Sequence, residues 1–170
     1  GNNGGDGFVA ARRLAGLGAD VVVVLVAREP RPKGPDAARA WDRLEGSQGV
    51  TRMHAATAPD LAIIGRGIEK ASVVVDALLG TGARGQLRDP VRSAVVLARR
   101  ARAAGVPVVA LDTPTAVDLT TGEPTEPVVR ADATITFHRP KVGLRTRTGA
   151  ALAGRVLVAP IGIPVEADRG

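Results

Sequence analysis

At 170 residues and 45 % apolar content the chain is sized for one folded domain with a single core, and wholesale disorder is excluded. It contains no cysteine, which excludes disulfide scaffolds, thiolate metal sites and a cysteine nucleophile. The net charge of +6 leaves an anionic ligand or nucleic acid open, but aromatics are 2 % of the chain and are not interleaved with basic residues, so a base-stacking platform is not supported.

The chain opens on Gly1-Asn2-Asn3-Gly4-Gly5-Asp6-Gly7, which reads as a glycine-rich turn feeding a helix from Phe8 to Leu17. Phe8, Ala11 and Leu14 fall on one face of that helix, and Gly16 and Gly18 stop it. Val21 to Val26 is an unbroken, mostly β-branched run, the signature of a fully buried parallel strand. A Pro/Gly-rich loop from Arg28 to Pro35 precedes a helix over Asp36 to Leu44. Val50 to Met53 is a weak strand, and Leu61 to Glu69 fits either a short helix or a loop.

Val73 to Leu78 is a second strong strand, interrupted by Asp76 and closed by Gly80-Thr81-Gly82. Asp89-Pro90 starts the next helix, with Asp as N-cap and Val91, Ala94, Val95 and Ala98 as its buried stripe. Arg99, Arg100 and Arg102 lie on this helix as a solvated charged face. Val106 to Leu111, Ala133 to Phe137 and Val156 to Ile161 complete the strands. Strands alternating with helices predict an α/β, Rossmann-like three-layer domain with a mostly parallel sheet. No repeat or internal boundary is visible, so residues 1–170 read as one domain. In a nucleotide-binding unit the glycine turn follows a strand, so a segment preceding residue 1 is expected. No apolar run reaches the ~20 residues of a membrane helix. No secretory leader is present, and a cytoplasmic setting without a membrane is the expectation.

In open parallel sheets ligands bind beyond the carboxyl ends of the strands, and three segments with unusual chemistry fall there. The first, at residues 1–7, offers a helix N-terminus to phosphate, although it lacks both G-x-G-x-x-G and a P-loop lysine. The second pairs Asp76, a carboxylate that is costly in an apolar strand unless paired, with the glycine-rich stretch after it. The third is Asp112-Thr113-Pro114-Thr115. Asn3, Asp76 and Thr115 supply only hard oxygen ligands, a set suited to Mg, Ca or an alkali cation rather than Zn or Cu. His54 and His138 have no metal-binding spacing and read as surface or capping residues; His138 stands out as it ends a strand beside Arg139 and Lys141.

Read together, these segments resemble the NAD(P)H-hydrate epimerase family. The resemblance rests on Gly1 to Gly7, Val75-Asp76-Ala77-Leu78-Leu79-Gly80-Thr81-Gly82, Leu111 to Thr115, Thr136 to Gly143, Gly154 and Ile161 to Pro164, in the family's order. It implies interconversion of the R and S epimers of NADHX and NADPHX, the hydrated forms of NADH and NADPH. A partner NAD(P)H-hydrate dehydratase, fused in some members, acts on the S form. The resemblance assigns substrate contacts to Asn2, Asn3, Gly4, Gly5 and Asp6, to Gly80, Thr81, Gly82, Ala83, Arg84, Gly85 and Gln86, and to Asp112. It assigns a potassium ion to Asn3, Asp76 and Thr115. Asp112 is the first candidate for acid–base catalysis, with Lys141 to stabilise phosphate or tune Asp112. The family usually has Ser-Gly at Thr115-Ala116; alanine resists positive φ, so a displaced loop is expected there. A helical region that precedes the glycine segment in the family helps close its site and its dimer, so a homodimer is compatible with the resemblance. The rival reading is a non-catalytic module of the same fold that binds RNA or protein; a generic kinase or oxidoreductase is weakened by the missing phosphate-binding motifs.

Overall fold

The computed structural model describes residues 2–80 and 85–163. Gly1, Thr81, Gly82, Ala83 and Arg84 therefore lie outside the described residues, as does the end of the chain from 164 onward.

The element order is α1 (Asn2–Gly16), β1 (Val21–Val26), α2 (Pro35–Asp42), β2 (Val50–Ala55), α3 (Ala58–Ile64), a 3-10 turn (Ile68–Lys70) and β3 (Val74–Asp76). There follow α4 (Val91–Ala103), β4 (Val108–Leu111), β5 (Ala133–Phe137), a 3-10 turn (Val142–Arg145), α5 (Arg147–Ala153) and β6 (Arg155–Ala159). Every strand pairing in these ladders is parallel, as the Val-rich runs require. The expected single sheet is instead two ladders among the described residues, β1-β2 and β3-β4-β5-β6.

Side-chain alternation along β1 sets the layers. Val21, Val23 and Leu25 face Phe8 and Ala11 of α1 and Trp41 of α2. Val24 and Val26 face the other way, against Leu61 and Ile64 of α3 and Ala94 and Leu97 of α4. That second cluster also contains Leu78, just beyond β3, so it joins the two ladders into one body. α4 covers Val108 and Val74 through Val95 and Ala98, and α5 packs Leu152 and Ala153 against Val128 and Leu144. These are the predicted three layers.

Three expectations are corrected. Residues 2–7 are the first turns of α1 rather than a turn ahead of it, and none of Gly4, Gly5 or Gly7 has positive φ. Their small size is used for contact. A Cβ on Gly7 would stand 2.6 Å from Ala77 Cβ, and one on Gly5 would stand 3.2 Å from Ala37 Cα. Packing of α1 onto α2 and the end of β3 offsets the roughly 1 kcal/mol each helical glycine costs. Second, α4 begins at Val91, and Asp89 caps it from one residue further out, through Oδ1 to Ser93 N (3.1 Å) and Oγ (2.6 Å). Third, α5 was not anticipated; it is short, contains Gly149, and is started by Thr146, whose hydroxyl accepts from Gly149 N at 3.1 Å. The ambiguous stretch resolves into α3, held by a capping box between Thr57 and Asp60, and the 3-10 turn.

Candidate active site

The site is built at the carboxyl ends of β3, β4 and β5, where α1 starts. Its floor is Asp76, the last residue of β3, 2 % exposed. The chain turns immediately after it, so Leu78 N donates back to Asp76 Oδ1 at 3.2 Å. Thr115, fully buried in the loop after β4, donates its backbone N–H to Asp76 Oδ2 (2.7 Å) and its hydroxyl to Oδ1 (2.8 Å). Thr115 Oγ1 in turn accepts from Leu79 N at 3.2 Å. Burial pushes the Asp76 carboxyl above the usual carboxylate range, and the Thr115 and Leu78 donors only partly oppose it.

Asn3, on the first turn of α1 and 6 % exposed, closes the floor from above. Its Nδ2 donates to Leu79 O at 3.1 Å, which fixes the amide orientation. Its Oδ1 is then a buried acceptor with no hydrogen-bond partner among the described residues. A Cβ on Gly80 would come 3.1 Å from Asn3 Cβ, so glycine at 80 lets the β3 loop approach α1. Sequence reasoning proposed Asn3, Asp76 and Thr115 as one oxygen set, and the fold brings them together.

The loop carrying Thr115 turns through a left-handed residue. Ala116 adopts φ 75°, the left-handed conformation that glycine would take more readily. It is held there by Thr125 N donating to Ala116 O (2.8 Å) and Val129 N donating to Thr115 O (3.0 Å).

The rim is Asp112, directly after β4, with φ 63°. Its N–H donates to Ile135 O at 2.7 Å, continuing the β4–β5 ladder past the strand end. Lys141 Nζ lies 3.1 Å from Asp112 Oδ1 and donates to Phe137 O at 3.1 Å, and Thr136 Oγ1 reaches the same Oδ1 at 3.4 Å. The side chains of Asp112 and Lys141 are 13 % and 25 % exposed, so the pair is largely shielded from water. Asp6, on α1, faces this pair: partial burial first, and the Asp112 charge second, raise its pKa above the ordinary value. His138 directly follows β5, with φ 65°, and donates its N–H to Ala159 O, whereas His54 Nε2 lies 2.8 Å from Ala27 O.

A cavity of about 680 Å³ opens beside the floor, bordered by Leu79, Gly80, Gly85, Gln86 and Thr113. Of the proposed substrate contacts, Gly80, Gly85 and Gln86 line it. Gly5 packs tightly on Ala37, Gly4 does not line the cavity, and Asn2 is exposed at the start of α1. Thr81, Gly82, Ala83 and Arg84 are outside the described residues. Arg28 and Arg88 also line the cavity; sequence reasoning missed both, although Arg28 stands just past the carboxyl end of β1, the edge where ligands gather. A second, open depression lies among Arg66, Gly67, Glu69, Arg100 and Ala104; Arg100 there pairs with Glu69 at 3.8 Å and donates to Gly65 O, so its charge is already engaged.

The sequence profile of the family described as YjeF-related protein N-terminus matches residues 1–143. The NAD(P)H-hydrate epimerase of Cenarchaeum symbiosum is 39 % identical over 174 residues, an alignment that covers 100 % of this chain and 74 % of that protein. The bifunctional NAD(P)H-hydrate repair enzyme Nnr of Hyperthermus butylicus is 38 % identical, across 99 % of this chain and 30 % of the longer relative. The crystal structure of yeast ynu0 superposes with a TM-score of 0.76 at 23 % identity, over 98 % of this chain and 65 % of the yeast chain, a likeness of fold.

Proposed function

Because the chain belongs to the NAD(P)H-hydrate epimerase family, we propose that it interconverts the R and S epimers of NADHX and NADPHX. The observation that carries this reading is the meeting, at one sheet edge, of a shielded Asp112–Lys141 pair with a buried oxygen cluster. The reaction is an isomerisation and needs no redox partner. The hydroxyl-bearing carbon adjoins the ring nitrogen, whose lone pair expels the hydroxyl as water once it is protonated. Water then adds to the opposite face and gives up a proton. The departing hydroxyl takes a proton from an acid on one face, and the incoming water gives one to a base on the other. Asp112 takes one of these two roles. Its Oδ1 is held by Lys141 and Thr136, which leaves Oδ2 toward the substrate. Gly80, Gly85 and Gln86 line the approach, and the N-terminus of α1 presents unpaired N–H groups and its positive dipole end to the pyrophosphate.

The floor fits a potassium ion. Asn3 Oδ1 has no partner, Asp76 is a buried carboxylate bonded to neutral donors, and Thr115 Oγ1 keeps a lone pair after accepting from Leu79. Asn3, Asp76 and Thr115 would hold the ion, which supplies positive charge that offsets the burial of Asp76 and ties α1 to the β3 and β4 loops.

No described helix is long and apolar enough to cross a membrane, and the proposed setting is cytoplasmic. The functional partner is a dehydratase acting on the S epimer, separate or fused. An RNA-binding role is less well supported. Phe8 and Trp41 are 6 % and 7 % exposed and meet at a tilt in the core, and Arg99, Arg100 and Arg102 pair with Glu126, Glu69 and Asp132. The test is chromatographic exchange between purified R- and S-NADPHX in potassium buffer. The reading expects exchange far above the buffer rate; exchange at the buffer rate would overturn it.

A further inference from the structure

The cavity beside the floor carries a feature that epimerisation does not call for. It bridges the two ladders at their carboxyl ends, with Arg28 from the exit of β1 on one side and Arg88 from the segment before α4 on the other. The two ladders, β1-β2 and β3-β4-β5-β6, are not hydrogen-bonded to each other among the described residues, and the cavity lies at the carboxyl ends of both, the edge where ligands gather in parallel sheets. Both arginines spring from fixed backbone. Ala27 N donates to Ala55 O (3.2 Å), and Arg88 O accepts the first-turn N–H of Arg92 (3.0 Å).

Neither guanidinium has a carboxylate within 4.0 Å among the described residues, whereas Arg31, Arg39, Arg99 and Arg102 are each paired. The two acids of the cavity wall already hold neighbouring groups. Asp89 Oδ1 caps α4, and Asp118 Oδ1 accepts from Thr120 N (2.8 Å) and Thr121 N (2.7 Å). Two forked donors are thus available for one multivalent anion.

The position of Arg28 says which anion. In doubly wound domains the strand after the first helix ends at the adenosine ribose. An acid there binds the 2′-hydroxyl, and an arginine accommodates a 2′-phosphate. Here that strand is β1, and the residue from its exit that lines the cavity is Arg28; the neighbouring Glu29 does not line it. We propose that Arg28 and Arg88 form a phosphomonoester subsite that takes the 2′-phosphate of NADPHX and sets a preference for it over NADHX. This rests on the epimerase reading for the identity of the substrate, but not for the chemistry of the subsite.

Two arms test it on the full chain. In the first, kcat/KM for epimer exchange is measured with NADPHX and NADHX. Wild type should favour NADPHX, and Arg28→Gln or Arg88→Gln should each lower that ratio about tenfold, the loss of one charge-assisted contact. In the second, calorimetric titration compares 2′,5′-ADP with 5′-AMP, which differ only in the 2′-phosphate. The wild type should bind 2′,5′-ADP more tightly, and the variants should lose the difference. If the chain exchanges neither substrate yet keeps a 2′,5′-ADP preference that Arg28→Gln removes, the subsite stands and the epimerase reading falls. If exchange is present with no preference, or the variants weaken both ligands equally, the subsite is overturned.

Discussion

Asp76 and Asp112 stand at the ends of paired parallel strands, and their surroundings could hardly differ more. Asp76 is 2 % exposed and bonded to the neutral donors of Thr115 and Leu78; Asp112 stands at the rim, 3.1 Å from Lys141. A buried carboxylate without a cation is costly, and an unmatched acceptor, Asn3 Oδ1, lies in the same cluster. That combination is the reason a cation is proposed there. A carboxylate paired with a lysine at the mouth of a site instead keeps one oxygen free to exchange a proton. In the proposed function the same side chain is a ligand on the floor and an acid–base group at the rim, and the difference in environment is the ground for the distinction.

The sharpest separation is expected from activity. Asp112→Asn should reduce epimer exchange by roughly 10²- to 10⁴-fold, the usual contribution of a positioned proton donor. It should leave the folded state intact, as judged by circular dichroism. An exchange rate equal to wild type would remove Asp112 from the chemistry.

Thr115→Val tests the floor. It keeps the shape but removes the hydroxyl that donates to Asp76 and accepts from Leu79. Leaving those buried groups short should cost about 2 kcal/mol, seen as a Tm lowered by roughly 4–8 °C. An unchanged Tm would mean that the hydroxyl does not support Asp76.

Ala116→Gly should act the other way, and weakly. Relief of the left-handed alanine exceeds the added chain entropy of glycine by about 0.5 kcal/mol, so denaturant melts should shift slightly upward. A downward shift would show that the φ of 75° is not strained.

The smallest effect concerns Asp6. Its pKa is raised in the fold, so any stability it contributes is present at acid pH and is lost as pH rises through that raised value. Carboxyl-carbon NMR titration should show the Asp6 pKa falling toward normal in Asp112→Asn, because the like charge is removed while the burial remains. No movement would leave burial as the sole cause.

Much of this was legible in the residues. Val21–Val26 and Ala133–Phe137 are strands with the bounds that their β-branched runs predict; the expectation that Val21–Val26 is fully buried does not hold, since Val22 is 60 % exposed. Asp76 was identifiable as a carboxylate in an apolar strand, and its company with Asn3 and Thr115 follows from their shared edge of the sheet. The glycine run was misread because glycine serves both positive φ and close approach, and the two uses look alike in sequence. Here Gly5 and Gly7 meet Ala37 and Ala77 from inside a helix. The Thr136 contact and the cavity position of Arg28 depend on cross-strand register and on loop placement, which no local pattern encodes.

The division between floor and rim is tested most directly by potassium titration of thermal stability in wild type, Asp112→Asn and Asp76→Asn. A ligand that binds the folded state raises Tm with its concentration. The account predicts a potassium-dependent rise in wild type and in the exchange-deficient Asp112→Asn, and its loss in Asp76→Asn. A rise that survives in Asp76→Asn, or vanishes in Asp112→Asn, would contradict the assignment of the two carboxylates.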